Sequence, residues 1–111
     1  MTRRDCAIDA TMSVIEGRWK AVVLCKLMNE KKMRFNQMIK EIEGVSPRML
    51  AKQLRELERD GMIIRETFAE IPPRVEYSLT RRGESIIPVL NAIAKWGLAN
   101  EMRGLVKIKE E

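Results

Sequence analysis

Apolar residues recur every three or four positions over the first two-thirds of the chain, and then the period changes. Ile8, Met12 and Ile15 share one face of a predicted first helix that stops near Gly17. A second segment runs from about Trp19 through Val22, Val23, Leu24 and Leu27 into the polar turn Asn29, Glu30, Lys31 and Lys32. Apolar residues cover most of its sides, which predicts the central buried helix. Phe35, Met38, Ile39 and Ile42 mark a short third helix closed by Gly44. The fourth helix is the best punctuated. Ser46 takes the N-cap and Pro47 the first helical position, where a missing N–H costs nothing. Leu50, Leu54 and Leu57 carry the period onward, and Gly61 ends it.

Past Gly61 the chain reads as strand. Met62 to Phe68 is rich in β-branched and apolar residues, and Glu70-Ile71-Pro72-Pro73 forms a tip that neither a helix nor an inner strand accepts. Val75, Tyr77 and Leu79 then alternate with Arg74, Glu76 and Ser78, as in a half-buried strand. A β-hairpin over residues 62–79 follows. From Thr80 the helical period returns, with Ile86, Leu90, Ile93 and Ala94 on one face; Pro88 either kinks this helix or marks its effective start. The expectation is one domain over residues 1–111, mainly α with a β-hairpin (α+β). A short helix, a tight turn and a capped helix over 34–60, followed by a hairpin over 62–79, is the layout of a winged helix-turn-helix.

Composition narrows the function. The chain has 111 residues, which suits a single domain, and no histidine, which removes imidazole-based catalysis and His-ligated zinc. Its only aspartates are Asp5, Asp9 and Asp60, and no constellation of acids suggests an active site, so neither enzyme, cofactor nor metal is expected. Lysine and arginine number 21 against 16 acids, for a net charge of +5. That excess fits nucleic acid, a membrane surface or plain solubility. No apolar run approaches the ~18 residues of a membrane span, and no secretory signal pattern appears. Cys6 and Cys25 are too few for a secreted disulfide framework. A cytoplasmic location without a membrane partner is expected.

Helical geometry locates part of the charge. With ~100° per residue, Leu50, Leu54 and Leu57 fall within ~60° of one another. On the same wheel Arg55, Arg48, Arg59 and Lys52 form one stripe ~140–200° from Leu50, with Glu56 and Glu58 on its flanks. A solvated face with i,i+4 charge pairs is one reading, and a small basic helical adaptor for protein partners would use it so. A recognition helix is the other. In that reading Arg48 and Lys52, near the N-terminus, face base edges, and Arg55 and Arg59 face phosphates. Ser46 and the first-turn N–H groups also suit a phosphate. Gln53 leans toward the core flank. Arg74 at the hairpin tip and Arg65 on its first strand extend the surface. Arg81 and Arg82 in the first turn of the last helix stand against its dipole.

The segments Gly17-Arg18-Trp19-Lys20, Arg34-Phe35, Ser46-Pro47-Arg48-Met49-Leu50, Leu54-Arg55-Glu56-Leu57, Asp60-Gly61, Val75 to Thr80, Arg82-Gly83 and Trp96-Gly97 resemble the HxlR-type transcriptional regulators in order and spacing, over about residues 6–98. The resemblance implies a winged-helix homodimer on a palindromic operator in double-stranded DNA, joined by its N- and C-terminal helices, here about residues 6–16 and 81–101. It brings Arg34 and Pro47 into the DNA-contacting set. It also implies a possible effector, oxidant or small molecule, because Cys6 falls where such proteins often carry a responsive cysteine. Its usual following proline is Ala7 here. Arg3 and Arg4 and a helix N-terminus would lower the pKa of that thiol; an ordinary free cysteine is the other reading. Cys25 is expected in the core, and Met12, Met28, Met38 and Met62 on apolar faces.

Overall fold

Residues 6–100 are described by the structure, a computed structural model of the chain. Their order is α1 (Ala7–Ile15), α2 (Lys20–Glu30), β1 (Lys32–Met33), α3 (Phe35–Glu41), α4 (Pro47–Arg59), β2 (Ile63–Phe68), β3 (Arg74–Leu79) and α5 (Arg81–Ala99). This is the mainly helical architecture with a β-hairpin wing that the hydrophobic periods predict. Arg3 and Arg4, and the last position of the expected 81–101 helix, lie outside the described residues.

The core forms where α2, α4 and the sheet meet. Val23, Leu24 and Leu27 of α2 are fully buried, as are Leu50, Leu54 and Leu57 of α4. Met33, Met38, Met62, Ile63 and Tyr77 complete the centre. Truncating any of the three α4 leucines to alanine removes about 2–5 kcal/mol. α4 ends in a Schellman arrangement: Gly61 takes a φ of 75°, its N–H donates to the Glu58 carbonyl, and the Met62 N–H donates to that of Leu57.

The polar segment after α2 is more than a turn. Lys32 and Met33 pair with β3, Lys32 opposite Ser78 and Met33 opposite Tyr77. The sheet order is therefore β1-β3-β2, with β3 central and β2 at the edge. β2 and β3 pair from Ile63 opposite Leu79 to Phe68 opposite Arg74. Met33 is buried while Lys32 is exposed, as a strand with one covered face requires.

α5 buries only part of its expected face, Leu90 in the core and Ile86 packed against it. It begins at Arg81, capped by Thr80, and runs through Pro88, so the proline does not mark its start. Its buried residues are Gly83, Ile87 and Leu90, whereas Ile93 and Ala94 are exposed. Val89, Ile93 and Trp96 fall within ~60° of one another on a second stripe, ~120° round from the first. These three are 44%, 52% and 64% exposed. α1 shows the same division, because Ile15 is buried while Ile8 and Met12 stand open. Met28 is likewise exposed, whereas Met38 and Met62 lie in the core. Cys25 is half-buried, lining an apolar groove of about 350 Å³ between α2 and α5.

Gly83 explains how α5 reaches the sheet. A Cβ there would collide with the Met62 carbonyl oxygen, so only glycine permits this approach. Arg82 resolves its conflict with the dipole by pointing away from its own helix. Its Nη1 donates to the Asp60 carbonyl at 3.4 Å, at the C-terminal end of α4 where a cation is favourable.

Candidate nucleic-acid interface

The outer face of α4 is built by its cap and its seam. The Ser46 hydroxyl oxygen accepts from the Met49 N–H at 3.1 Å, which fixes the first turn. Burial of Leu50, Leu54 and Leu57 then fixes rotation about the axis, turning Arg48, Lys52 and Arg55 outward. Together with Ser46 and Met49 they line a shallow depression of about 360 Å³. Among the described residues none of these three cations has a carboxylate within ion-pair distance, although α4 carries its own glutamates. Such an exposed, uncompensated positive face raises the local concentration of anions.

The remaining candidates divide. Arg59 is exposed and touches Asp60 at 3.6 Å. Arg34 is exposed at the N-cap of α3. On the edge strand, Arg65 is exposed and donates to Thr67 Oγ1 at 3.4 Å. Arg74 opens β3 with its guanidinium 3.1 Å from Glu70 and 3.6 Å from Glu76, stacked over the Phe68 ring at 4.1 Å. Its charge is thus already compensated within the wing. Pro47 occupies the first turn of α4 and has no N–H, and Ser46 takes that of Met49, so the cap leaves only the Arg48 N–H of that turn unengaged. Gln53 is half-buried and donates to the Met49 sulfur at 3.3 Å, consistent with its place on the core flank.

Two residues escaped the sequence reading. Met49 is 36% exposed in the depression, an apolar contact among cations suited to a thymine methyl group. Its place between Ser46 and Leu50 was visible, but attention to charge passes over it. Lys20 is buried against α4, and its carboxylate partner Glu56 lies 2.8 Å away. Nothing in the local sequence announces that pairing.

Cys6 is exposed at the N-cap of α1, where the backbone N–H groups of Asp9 and Ile8 hold its thiol below the ordinary value. Burial pushes the Cys25 thiol upward.

Comparison with known proteins agrees with this architecture. A family model described as HxlR-like helix-turn-helix matches residues 14–104. An HTH-type transcriptional regulator of Methanothermobacter thermautotrophicus is 46% identical over 92 residues, covering 83% of this chain and 70% of its own length. The regulator YdeP of Bacillus subtilis is also 46% identical, with 83% and 71% covered. Among solved structures, the redox regulator HypR in its reduced form superposes with a TM-score of 0.82 at 35% identity, covering 91% of this chain and all of that one.

Proposed function

This chain belongs to the HxlR-like helix-turn-helix family of transcriptional regulators, and on that premise we propose that it binds a palindromic operator as a cytoplasmic homodimer. The family consists of regulators, not enzymes. The observation that carries the reading is the group Arg48, Lys52 and Arg55 on the solvent face of α4, with no carboxylate partner among the described residues. Arg48 and Lys52 read base edges in the major groove, Arg making the bidentate contact to guanine. Arg55 and Arg59 neutralise phosphates, with Ser46 donating its remaining hydroxyl proton and Pro47 setting the helix entry. Arg34, Arg65 and Arg74 flank the groove, Arg74 exchanging its wing carboxylates for phosphate.

Dimerisation uses the uncovered stripes. Ile8 and Met12 on α1, and Val89, Ile93 and Trp96 on α5, leave apolar surface that a second protomer would remove from water. Two-fold symmetry then sets the recognition helices about 34–36 Å apart, one turn of DNA. Cys6 is the proposed point of response to oxidants or electrophiles. Its exposure and lowered pKa support this, and HypR, a structural neighbour, is itself described as a redox regulator.

The test is titration of a labelled duplex at two salt concentrations, followed by selection from random duplexes. Binding that weakens steeply with salt, and a selected site with two-fold symmetry, are expected. A protein-binding adaptor with a merely solvating basic face would give salt-independent, negligible affinity.

A further inference from the structure

Lys20 is the one buried charged residue among the described residues. It opens α2, its side chain is 5% exposed, and its ammonium meets Glu56 Oε1 of α4 at 2.8 Å. Glu56 borders the cationic stripe, ~40° from Lys52 and ~60° from Arg59 on the helical wheel. Their separations are those at which side chains on a helix meet. A Glu56 free to turn outward would therefore pair with either cation. Each cation held in that way must be released before it can neutralise a phosphate.

Both cations act on Glu56 through their fields, behind the larger effect of its hydrogen bond with Lys20. Yet the ion pair at Glu56 is with Lys20 and with neither of them. The reason is an asymmetry in cost. A buried ammonium stripped of its carboxylate loses far more than an exposed pair on a helix surface returns. Glu56 stays where the desolvated charge needs it.

We propose that Lys20 is a positioning residue for the DNA-binding face: it sequesters the Glu56 carboxylate on the inner flank of α4 and so keeps Lys52 available to DNA and spares Arg59 a second carboxylate beside Asp60. This rests on the DNA-binding reading above. It goes beyond packing α2 against α4, because it concerns which charges remain free outside. It also gives a reason for a lysine buried at the edge of an apolar core, where a hydrophobic residue of matched shape would be at least as stable.

The experiment compares the wild-type chain with Lys20→Met and Lys20→Met/Glu56→Gln. Each is titrated against a labelled duplex of random sequence between about 50 and 200 mM salt, with its thermal midpoint measured alongside. Lys20→Met releases Glu56 toward the stripe. It is expected to bind about five- to tenfold more weakly at low salt, with the slope of log affinity against log salt reduced by about one. The double variant has no carboxylate to release and returns to within about twofold of wild type, with the wild-type slope. If Lys20 only packs helices together, the double variant binds no better than the single, and the proposal is overturned. Wild-type affinity and slope in Lys20→Met overturn it too. Should Lys20→Met fail to fold, Glu56→Gln alone decides: an already sequestered acid leaves the slope near wild type, whereas a rise of about one means Glu56 was competing all along. A wild-type chain without salt-dependent binding sinks the DNA-binding reading itself, an outcome distinct from all of these.

Discussion

The Thr80 hydroxyl donates to the Gly61 carbonyl oxygen at 2.6 Å, joining the residue that caps α5 to the residue that terminates α4. The Thr80 hydroxyl oxygen in turn accepts from the Gly83 N–H at 3.0 Å, and the Thr80 N–H donates to the Met62 carbonyl at 3.1 Å. One residue therefore ties together the end of α4, the start of the hairpin and the first turn of α5. Thr80→Val keeps the shape and removes the hydroxyl, leaving two polar groups unsatisfied. A loss of about 1–3 kcal/mol is expected, measured as a lower urea midpoint at unchanged slope, with Thr80→Ser retaining most of the stability.

Gly83 offers a steric counterpart. In Gly83→Ala the new methyl group meets the Met62 carbonyl oxygen, so α5 must shift from the sheet. The expected cost is about 1–3 kcal/mol despite the better helix propensity of alanine. A variant as stable as wild type in chemical denaturation would mean the backbone yields there without penalty.

The proposed interface divides specificity from general affinity along α4. Arg48→Ala is expected to cost about 1–3 kcal/mol on the selected operator and to relax preference at one base pair. Arg55→Ala weakens binding to all sequences alike and lowers the salt slope by about 0.9. Arg74→Ala changes the slope by less than Arg55→Ala, because Glu70 and Glu76 already balance its charge. Gel-shift titrations over a salt series rank the three.

The Lys20–Glu56 pair predicts an acid-side loss of stability. The hydrogen bond from Lys20 holds the Glu56 carboxyl below its ordinary value of 4.5. A depressed carboxylate stabilises the fold at all pH values above the unfolded value and loses that contribution as pH falls through the folded one. Stability measured from pH 7 downward should therefore begin to fall near 4.5 and continue falling below it. In Lys20→Met/Glu56→Gln that part of the pH dependence disappears, and its persistence would assign it to other carboxylates.

The two thiols should differ in rate. Cys6 is exposed with a lowered pKa, and Cys25 is half-buried with a raised one. At neutral pH a small alkylating reagent is expected to modify Cys6 at least about tenfold faster. Mass spectrometry of a timed series reads the order directly, and preferential modification of Cys25 would remove Cys6 as the responsive site.

Much of this molecule was legible because its elements are long enough to show a period. The seam Leu50, Leu54 and Leu57 locates the opposite face of α4, and Ser46, Pro47 and Gly61 set its ends. β1 stayed hidden because two residues carry no period, and Met33 pairs with Tyr77, far along the chain. The α5 face was legible only in part, through Ile86 and Leu90, because that helix has two apolar stripes, and a single chain does not say which one its own core uses. Ile87 and Leu90 went inward, while Ile93 and Trp96 remained open. Lys20 was invisible for a related reason. An isolated lysine in an apolar helix reads as a surface break until the helix holding its counter-charge is placed beside it.

The sheet order carries one more consequence. Because β3 takes β1 on one side and β2 on the other, the pairing of Met33 with Tyr77 closes a ring of chain that contains α3 and α4. The segment proposed to read DNA is thus a loop clasped at its base, and cutting it out as a free peptide would forfeit the clasp along with the Lys20 anchor. During synthesis the ring stays open until β3 has emerged, and its closure must bear the entropy of joining distant segments. Affinity for DNA should then arise late and all at once, when the last strand locks in place.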